Sequence, residues 1–342
     1  MKRSVVSVFI CVIALLSPSF VLGQFGMGCC PAGMAGMSCV TVGNVKVVPW
    51  LGFGYQSLGL NINFPFSGTQ NAFFQNLDVR LKNNALWVGS LGLDVALRQR
   101  FRFFGAAGTN LFVSNAGSLG TDTLVRGFGF GRGALDWSGT QVRWWELNLG
   151  GLYCLTDDVA ILVGYKCDSL SQKPELGGEA ASFQVFEEIT LTGTQDYSSD
   201  FKAITRSPYI GIKICQSYLD FSLVWSPWLT SYDVKIPLRV IDTLSFRRIF
   251  ASQSVDSRYQ LSGGGGNLLE AFAQTKLNIR EHLGVNLWLK GSWLQCKGNG
   301  NLDQDGQLFF GLQTIDRSAS GSGNSSFTRY LWALGISGQL MF

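Results

Sequence analysis

The sequence predicts an all-β fold: an up-and-down antiparallel transmembrane β-barrel of about ten strands, with twelve as the runner-up count. Three observations predict it. Bulky apolar residues alternate with small or polar ones in segment after segment. The gaps between these segments are alternately tight and long. No run of 18 or more apolar residues follows the N-terminal stretch, so a helical span is not expected.

Composition narrows the function classes. The 342 residues include 42 Gly, 25 Phe, 10 Trp and 9 Tyr, but only 15% are charged and one is His. An average soluble domain carries about 25% charge and about 7% Gly. Disorder needs low hydrophobicity and high net charge, and the formal charge here is only +4. A nucleic-acid binder needs a dense basic face, which this balance does not supply. A single His leaves no room for a multi-His metal site.

Residues 1–23 read as a signal peptide. Lys2 and Arg3 form a charged start, residues 5–16 an apolar core too short for a membrane span, and Ser17-Pro18 a break. Gly23 offers a small residue before a cut ahead of Gln24. A retained anchor helix is disfavoured by length. A lipoprotein at Cys29 is disfavoured because Phe25, Gly26, Met27 and Gly28 do not resemble the usual Leu-Ala-Gly approach.

Residues 24–44 form a Cys/Met/Gly-rich lead-in, expected to be periplasmic. Cys29, Cys30 and Cys39 with Met27, Met34 and Met37 are soft ligands that suit Cu(I). One disulfide, with its pairing left open, is the favoured reading in an oxidising compartment. Residues 45–342 are assigned to the barrel.

Strands are expected near 46–61, 85–98, 99–113, 141–154, 158–170, 205–215, 218–228, 266–280, 283–296 and 327–342. Residues 283–293 show the pattern most clearly. Leu283, Val285, Leu287, Leu289 and Trp293 make one face; Asn286, Trp288, Lys290 and Ser292 make the other. Likewise Trp87, Leu91 and Leu93 oppose Ser90, Gly92 and Asp94. Val163 and Tyr165 oppose Gly164, Lys166 and Asp168. Phe221, Leu223 and Trp225 oppose Asp220, Ser222 and Ser226, and Leu269, Ala271 and Ala273 oppose Glu270 and Gln274.

Four gaps are tight (98–99, 155–157, 216–217 and 281–282). Five are long (62–84, 114–140, 171–204, 229–265 and 297–326). This alternation matches short periplasmic turns and long extracellular loops. A soluble sandwich would share the periodicity. The long strands and the charged, Gly-rich second face favour a barrel with a polar lumen. Trp50, Trp137, Trp144, Trp145, Trp225, Trp228, Trp293, Tyr330 and Trp332 lie near strand ends and are expected to form interfacial girdles. The last segment alternates down to a terminal Phe342, a pattern that resembles the recognition signal of barrels handed to the outer-membrane assembly machinery.

Several strings resemble the omptins, outer-membrane aspartyl-type proteases built as ten-stranded barrels. They are Pro208-Tyr209-Ile210-Gly211, then Asp220-Phe221-Ser222-Leu223, then Ser226-Pro227-Trp228-Leu229 where the family carries a Ser-Gly-Trp string, with residues 149–165 similar to its fourth and fifth strands. The resemblance covers residues 141–342 in topology but only short strings in sequence. It implies an Asp-His pair in the fourth loop facing an Asp pair in the first two. Here the fourth loop holds Asp233, Asp242 and Asp256 but no His. The single His282 falls in a tight turn, and the first loop has one acid, Asp78. A general base near neutral pH must reach the attacking water. No catalytic residue is therefore carried over, and His282 beside Glu281 reads as a solvated turn pair.

Other candidates are weighed against plainer readings. Asn301, Asp303 and Asp305 with Gly306 look like the start of a calcium loop, but position 12 is Leu312. A polar turn is the plainer reading. Gly263-Gly264-Gly265-Gly266 and the Ser/Gly run 318–326 read as flexible loop. Cys154, Cys167, Cys215 and Cys296 are expected as free, packed thiols. Residues 183–192 and 233–249 alternate again, so each is a candidate hairpin above the membrane. The polar face collects Asp94, Arg98, Arg100, Arg102, Glu146, Lys166, Asp168, Lys213, Asp220, Glu270, Lys276, Arg280, Lys290 and Arg329. Buried charges must pair, so an ion-pair plug is favoured over a solute path.

The function read from this is non-enzymatic: surface binding, adhesion or an envelope-structural role through extracellular loops of a Gram-negative outer-membrane protein. A narrow porin-like channel and an omptin-related hydrolase using Asp233 and Asp242 are the alternatives. No catalytic, cofactor-binding or metal residue is assigned, and no cofactor. The expected partners are outer-membrane lipid with lipopolysaccharide, and the barrel-assembly machinery through Phe342; no nucleic acid is expected.

Overall fold

A computed structural model describes residues 40–42, 45–65, 67–68, 76–97, 100–112, 118–123, 133–137, 141–173, 178–186, 189–216, 219–246, 249–280, 283–310 and 313–340. Residues 1–23, read above as a signal peptide, and Cys29, Cys30, Cys39, His282 and Phe342 lie outside the described residues.

Ten strands make the wall: β1 (Val45–Pro65), β2 (Asn76–Leu97), β3 (Phe101–Asn110), β4 (Gln141–Cys154), β5 (Val159–Lys173), β6 (Phe201–Cys215), β7 (Leu219–Phe246), β8 (Ile249–Arg280), β9 (Leu283–Phe310) and β10 (Gln313–Leu340). Each pairs antiparallel with the next, and β10 pairs with β1, so the sheet closes on itself. Closure leaves no unpaired edge in the ring, which a bilayer requires. All ten expected strands are present, and the four tight gaps fall where the alternation placed them.

The long gaps differ from expectation. A bilayer needs only about 9–11 residues per strand, yet β8 runs for 32 residues and β7, β9 and β10 for 28 each. Residues 229–246 with 249–265, and 297–310 with 313–326, therefore continue the wall upward as paired strands. The strands Gly178–Phe186 and Ile189–Ser199 form the hairpin expected near 183–192, and the second of them joins β7. Gly263 to Gly266 sit inside β8 and Ser318 to Ser326 inside β10, so neither run is a loop. Asn301, Asp303 and Asp305 lie on β9 in extended conformation, facing outward and exposed. An extended strand cannot curl these oxygens around one cation, which removes the calcium-loop reading.

The barrel reverses its polarity along its length. Near the tight turns the outward residues are apolar and exposed, among them Phe101, Phe103, Leu149, Val163, Ile212, Phe221, Leu223, Leu289 and Leu334. Such an outward apolar belt is the feature of a transmembrane barrel wall. Above it the outward residues are polar, such as Lys235, Arg239, Arg258 and Asp303, while the interior fills with Leu60, Ile62, Phe64, Val234, Ile236, Tyr259, Leu261 and Leu302. The tall end is thus built like a soluble protein, with its apolar core inside.

Paired bulges mark the junction. Between Ser262 and Asn267 β8 has one residue more than β9 between Gln295 and Asn299. The inward set on β8 then changes from even numbers (Leu268, Glu270, Phe272) to odd ones (Leu261, Tyr259, Val255). On the facing strand Trp228 has φ of 53°, opposite Gly265 at 73°. A left-handed Trp is uncommon; its backbone N–H donates to Asn267 Oδ1 at 3.2 Å.

Candidate functional site

The lumen at belt height is crossed by ionised side chains. In a ring of ten, β4 and β9 stand opposite each other, as do β5 and β10. Lys290 of β9 reaches Glu146 of β4 at 3.0 Å. Arg329 of β10 pairs with Asp168 of β5 and donates to Thr205 Oγ1 of β6 at 3.3 Å. Lys166 of β5 links two acids, reaching Glu146 at 3.0 Å and also pairing with Glu270 of β8. Lys290 and Glu270 stand 3.6 Å apart. All of these charged groups are at most about 5% exposed.

Desolvating so many charges is tolerable only because each finds an opposite charge. Neutral groups extend the network: Tyr209 Oη donates to Asn148 Oδ1 at 2.7 Å. Nearer the tight turns, Lys213 lies 3.6 Å from Asp220, which accepts from Gln274 Nε2 at 3.1 Å. Asp94 and Arg102 are buried on the same inner face. Arg100 sits exposed at a turn, and the side chains of Arg98, Lys276 and Arg280 lie outside the described residues.

Aromatic rings fill the space between the ion pairs, and glycines make room for them. A Cβ on Gly54 or on Gly335 would come within 2.5 Å of the Trp288 ring. Gly164 gives the same clearance to Tyr209. Two expected girdle residues belong to this inner set: Trp50 and Trp144 are buried in the lumen. Of the neighbours Trp144 and Trp145 only one can face lipid, because successive side chains alternate. Trp145, Trp225, Trp228, Trp293, Tyr330 and Trp332 do face outward.

Above the ion pairs the bore is closed by packed apolar side chains. Tyr232 and Phe327 stack at 5.0 Å between centroids, and the Tyr232 hydroxyl lies 2.6 Å from Ser325 Oγ. Higher still, Phe64 meets Tyr259 edge-on at 6.3 Å. Burial pushes the Tyr259 phenol above the usual tyrosine range.

The acids weighed for catalysis are not brought together. Asp233 and Asp242 are nine positions apart on one extended strand, roughly 30 Å at 3.3 Å per residue. Two carboxylates that share one reacting bond stand within about 10 Å. Asp256 makes an exposed ion pair with Arg239 at 3.5 Å. Among the described residues no group of three His, Cys, Asp or Glu could hold a metal ion. Cys167 and Cys296 are free thiols as expected. Cys215 is not: it is disulfide-bonded.

No family model and no curated protein matches this chain. Solved structures do. The outer membrane protease OmpT from Escherichia coli superposes with a TM-score of 0.54 at 12% identity, covering 86% of this chain and 96% of that one. The Pseudomonas putida toluene transporter TodX matches with a TM-score of 0.34 at 10% identity, covering 93% and 99%. The translocator domain of the autotransporter NalP from Neisseria meningitidis gives 0.33 at 7%, covering 87% and 89%. The chain has the all-β, closed antiparallel fold of an outer-membrane β-barrel.

Proposed function

We propose that the protein is a closed outer-membrane barrel that acts through its tall end, as a surface-binding or envelope-structural protein rather than an enzyme or a pore. The observation that carries this reading is the double bridge across the lumen, Lys290 to Glu146 and Arg329 to Asp168. Salt bridges across opposite walls, capped by an apolar core, leave the strand extensions as the part available to a partner. Export by residues 1–23, assembly through Phe342 and the absence of an omptin-type protease site belong to the same proposal.

Lipopolysaccharide is the partner that the outer face favours. Arg143, Lys202 and Lys235 lie on one cross-strand row over β4 to β7, with Arg206 below Lys202 on β6. All four are exposed, and Arg143 stands two residues above the outward Trp145 on β4. Clustered outward cations beside an exposed Trp suit lipid phosphates.

The test is retention of lipopolysaccharide by purified protein. We expect Lys202→Glu with Lys235→Glu to lower it at least about thirtyfold, at roughly 1 kcal/mol for each basic residue lost near an anionic surface. Undiminished retention overturns the partner assignment. Cleavage of a peptide library, abolished by Asp233→Ala, would overturn the non-enzymatic reading.

A further inference from the structure

Beside the ion-pair network lies a cavity of about 30 Å³, lined among others by Gln56, Ser90, Trp144, Glu146, Trp288 and Lys290. Its chemistry is unbalanced. Gln56, Trp144 and Trp288 are 2%, 5% and 7% exposed, and Gln56 Nε2, Trp144 Nε1 and Trp288 Nε1 have no hydrogen-bond partner among the described residues. All three are N–H donors, and the indole nitrogen can only donate. Native proteins rarely leave such groups unsatisfied when buried. Three of them, from three different strands, line one small space.

Glu146 does not answer them. Both oxygens of the Glu146 carboxylate are already engaged by Lys290, at 3.0 and 3.1 Å, and Lys166 adds a third contact. A species in the cavity must accept from three N–H groups, and beyond Glu146 only Ser90 Oγ and Gln56 Oε1 offer it a side-chain acceptor. A single water has two lone pairs and must place two hydrogens of its own. A monovalent anion accepts from every side. The volume holds one particle about the size of a water, which excludes phosphate, sulfate and carboxylate ligands. The Lys290 ammonium on the wall supplies the nearest positive charge, while Lys166 and Lys290 together balance Glu146 and Glu270.

We propose that this cavity is a buried site for one halide-sized monovalent anion, held by Gln56 Nε2, Trp144 Nε1 and Trp288 Nε1. This inference does not depend on the surface role proposed above. An anion here ties β1, β4 and β9 together across the lumen.

The test is anomalous diffraction from crystals of the full barrel grown in bromide, paired with unfolding of the refolded protein in bromide against gluconate at equal ionic strength. The expected result is one bromide peak within hydrogen-bond distance of the three nitrogens. Bromide should also raise the unfolding midpoint. In Gln56→Leu, which keeps the volume but removes one donor, the bromide concentration needed should rise at least about tenfold. Water density alone in the cavity, bromide peaks only on surface lysines, or a midpoint indifferent to the anion overturns the proposal. The wild-type diffraction result decides even if the variant does not fold.

Discussion

Lys290 and Glu146 are 144 residues apart in the chain and on opposite walls of the barrel, yet their side chains meet at 3.0 Å. Such a contact sets the width of the lumen, because two walls held by one salt bridge cannot separate without exposing a buried charge. Glu146 also holds Lys166, so it stands at the centre of the network.

Removing Glu146 leaves two buried ammonium groups sharing Glu270. We expect Glu146→Ala to destabilise the barrel by about 3–5 kcal/mol, the range seen when one partner of a buried pair is lost. The replacement of Glu146, Lys166, Glu270 and Lys290 together by apolar residues of similar volume should cost less than the single change. Urea unfolding midpoints of protein refolded in detergent check both.

The Trp288 seat gives a second test. Gly54→Ala and Gly335→Ala each place a methyl group against that ring, and overpacking of this kind costs about 1–3 kcal/mol. Gly291 lies on β9 with nothing within 4 Å of its added Cβ. Gly291→Ala should change stability by no more than about 0.5 kcal/mol. The same unfolding assay compares them.

The polarity reversal predicts opposite responses at two heights. Leu223→Arg puts a charge on the lipid face, which costs about 2–4 kcal/mol at the bilayer midplane. Lys235, on the same face of β7 above the belt, should accept Leu within about 0.5 kcal/mol. Ile236, beside it but 1% exposed, should lose about 2–5 kcal/mol on change to Ala. Folding into lipid vesicles, followed by tryptophan fluorescence, reads all three.

Thiol labelling separates the faces without mutation. Cys167 is partly exposed, whereas Cys296 is buried and its Sγ lies 3.7 Å from the Thr230 carbonyl. A maleimide should modify Cys167 first and reach Cys296 only after unfolding. Equal rates in the native barrel would contradict the inward placement of Cys296.

The sequence revealed what depends on period-two alternation. The faces of β9, with Asn286, Trp288, Lys290 and Ser292 inward, were readable because lipid and lumen impose opposite polarity on successive residues. The inward charges were named from the same rule, but their partners were not, since β4 meets β9 only through closure of the ring. The tall end was harder to read. Above the belt both solvents exchange places, so Val234 and Ile236 turn inward where Phe221 and Leu223 turn outward. The Gly263 to Gly266 run looked like a loop because glycine has little strand preference; in the fold it supplies the extra residue that shifts β8 by one.

Planar-bilayer recording of the purified wild-type protein tests the closed lumen most directly. The bridged network with the apolar core above it predicts no persistent conductance steps from wild-type protein, and none after Glu146 and Asp168 are both replaced by Ala, because the apolar core still closes the bore. Stable, uniform steps from the wild type would show that ions pass the Lys290–Glu146 and Arg329–Asp168 bridges, and would contradict the account.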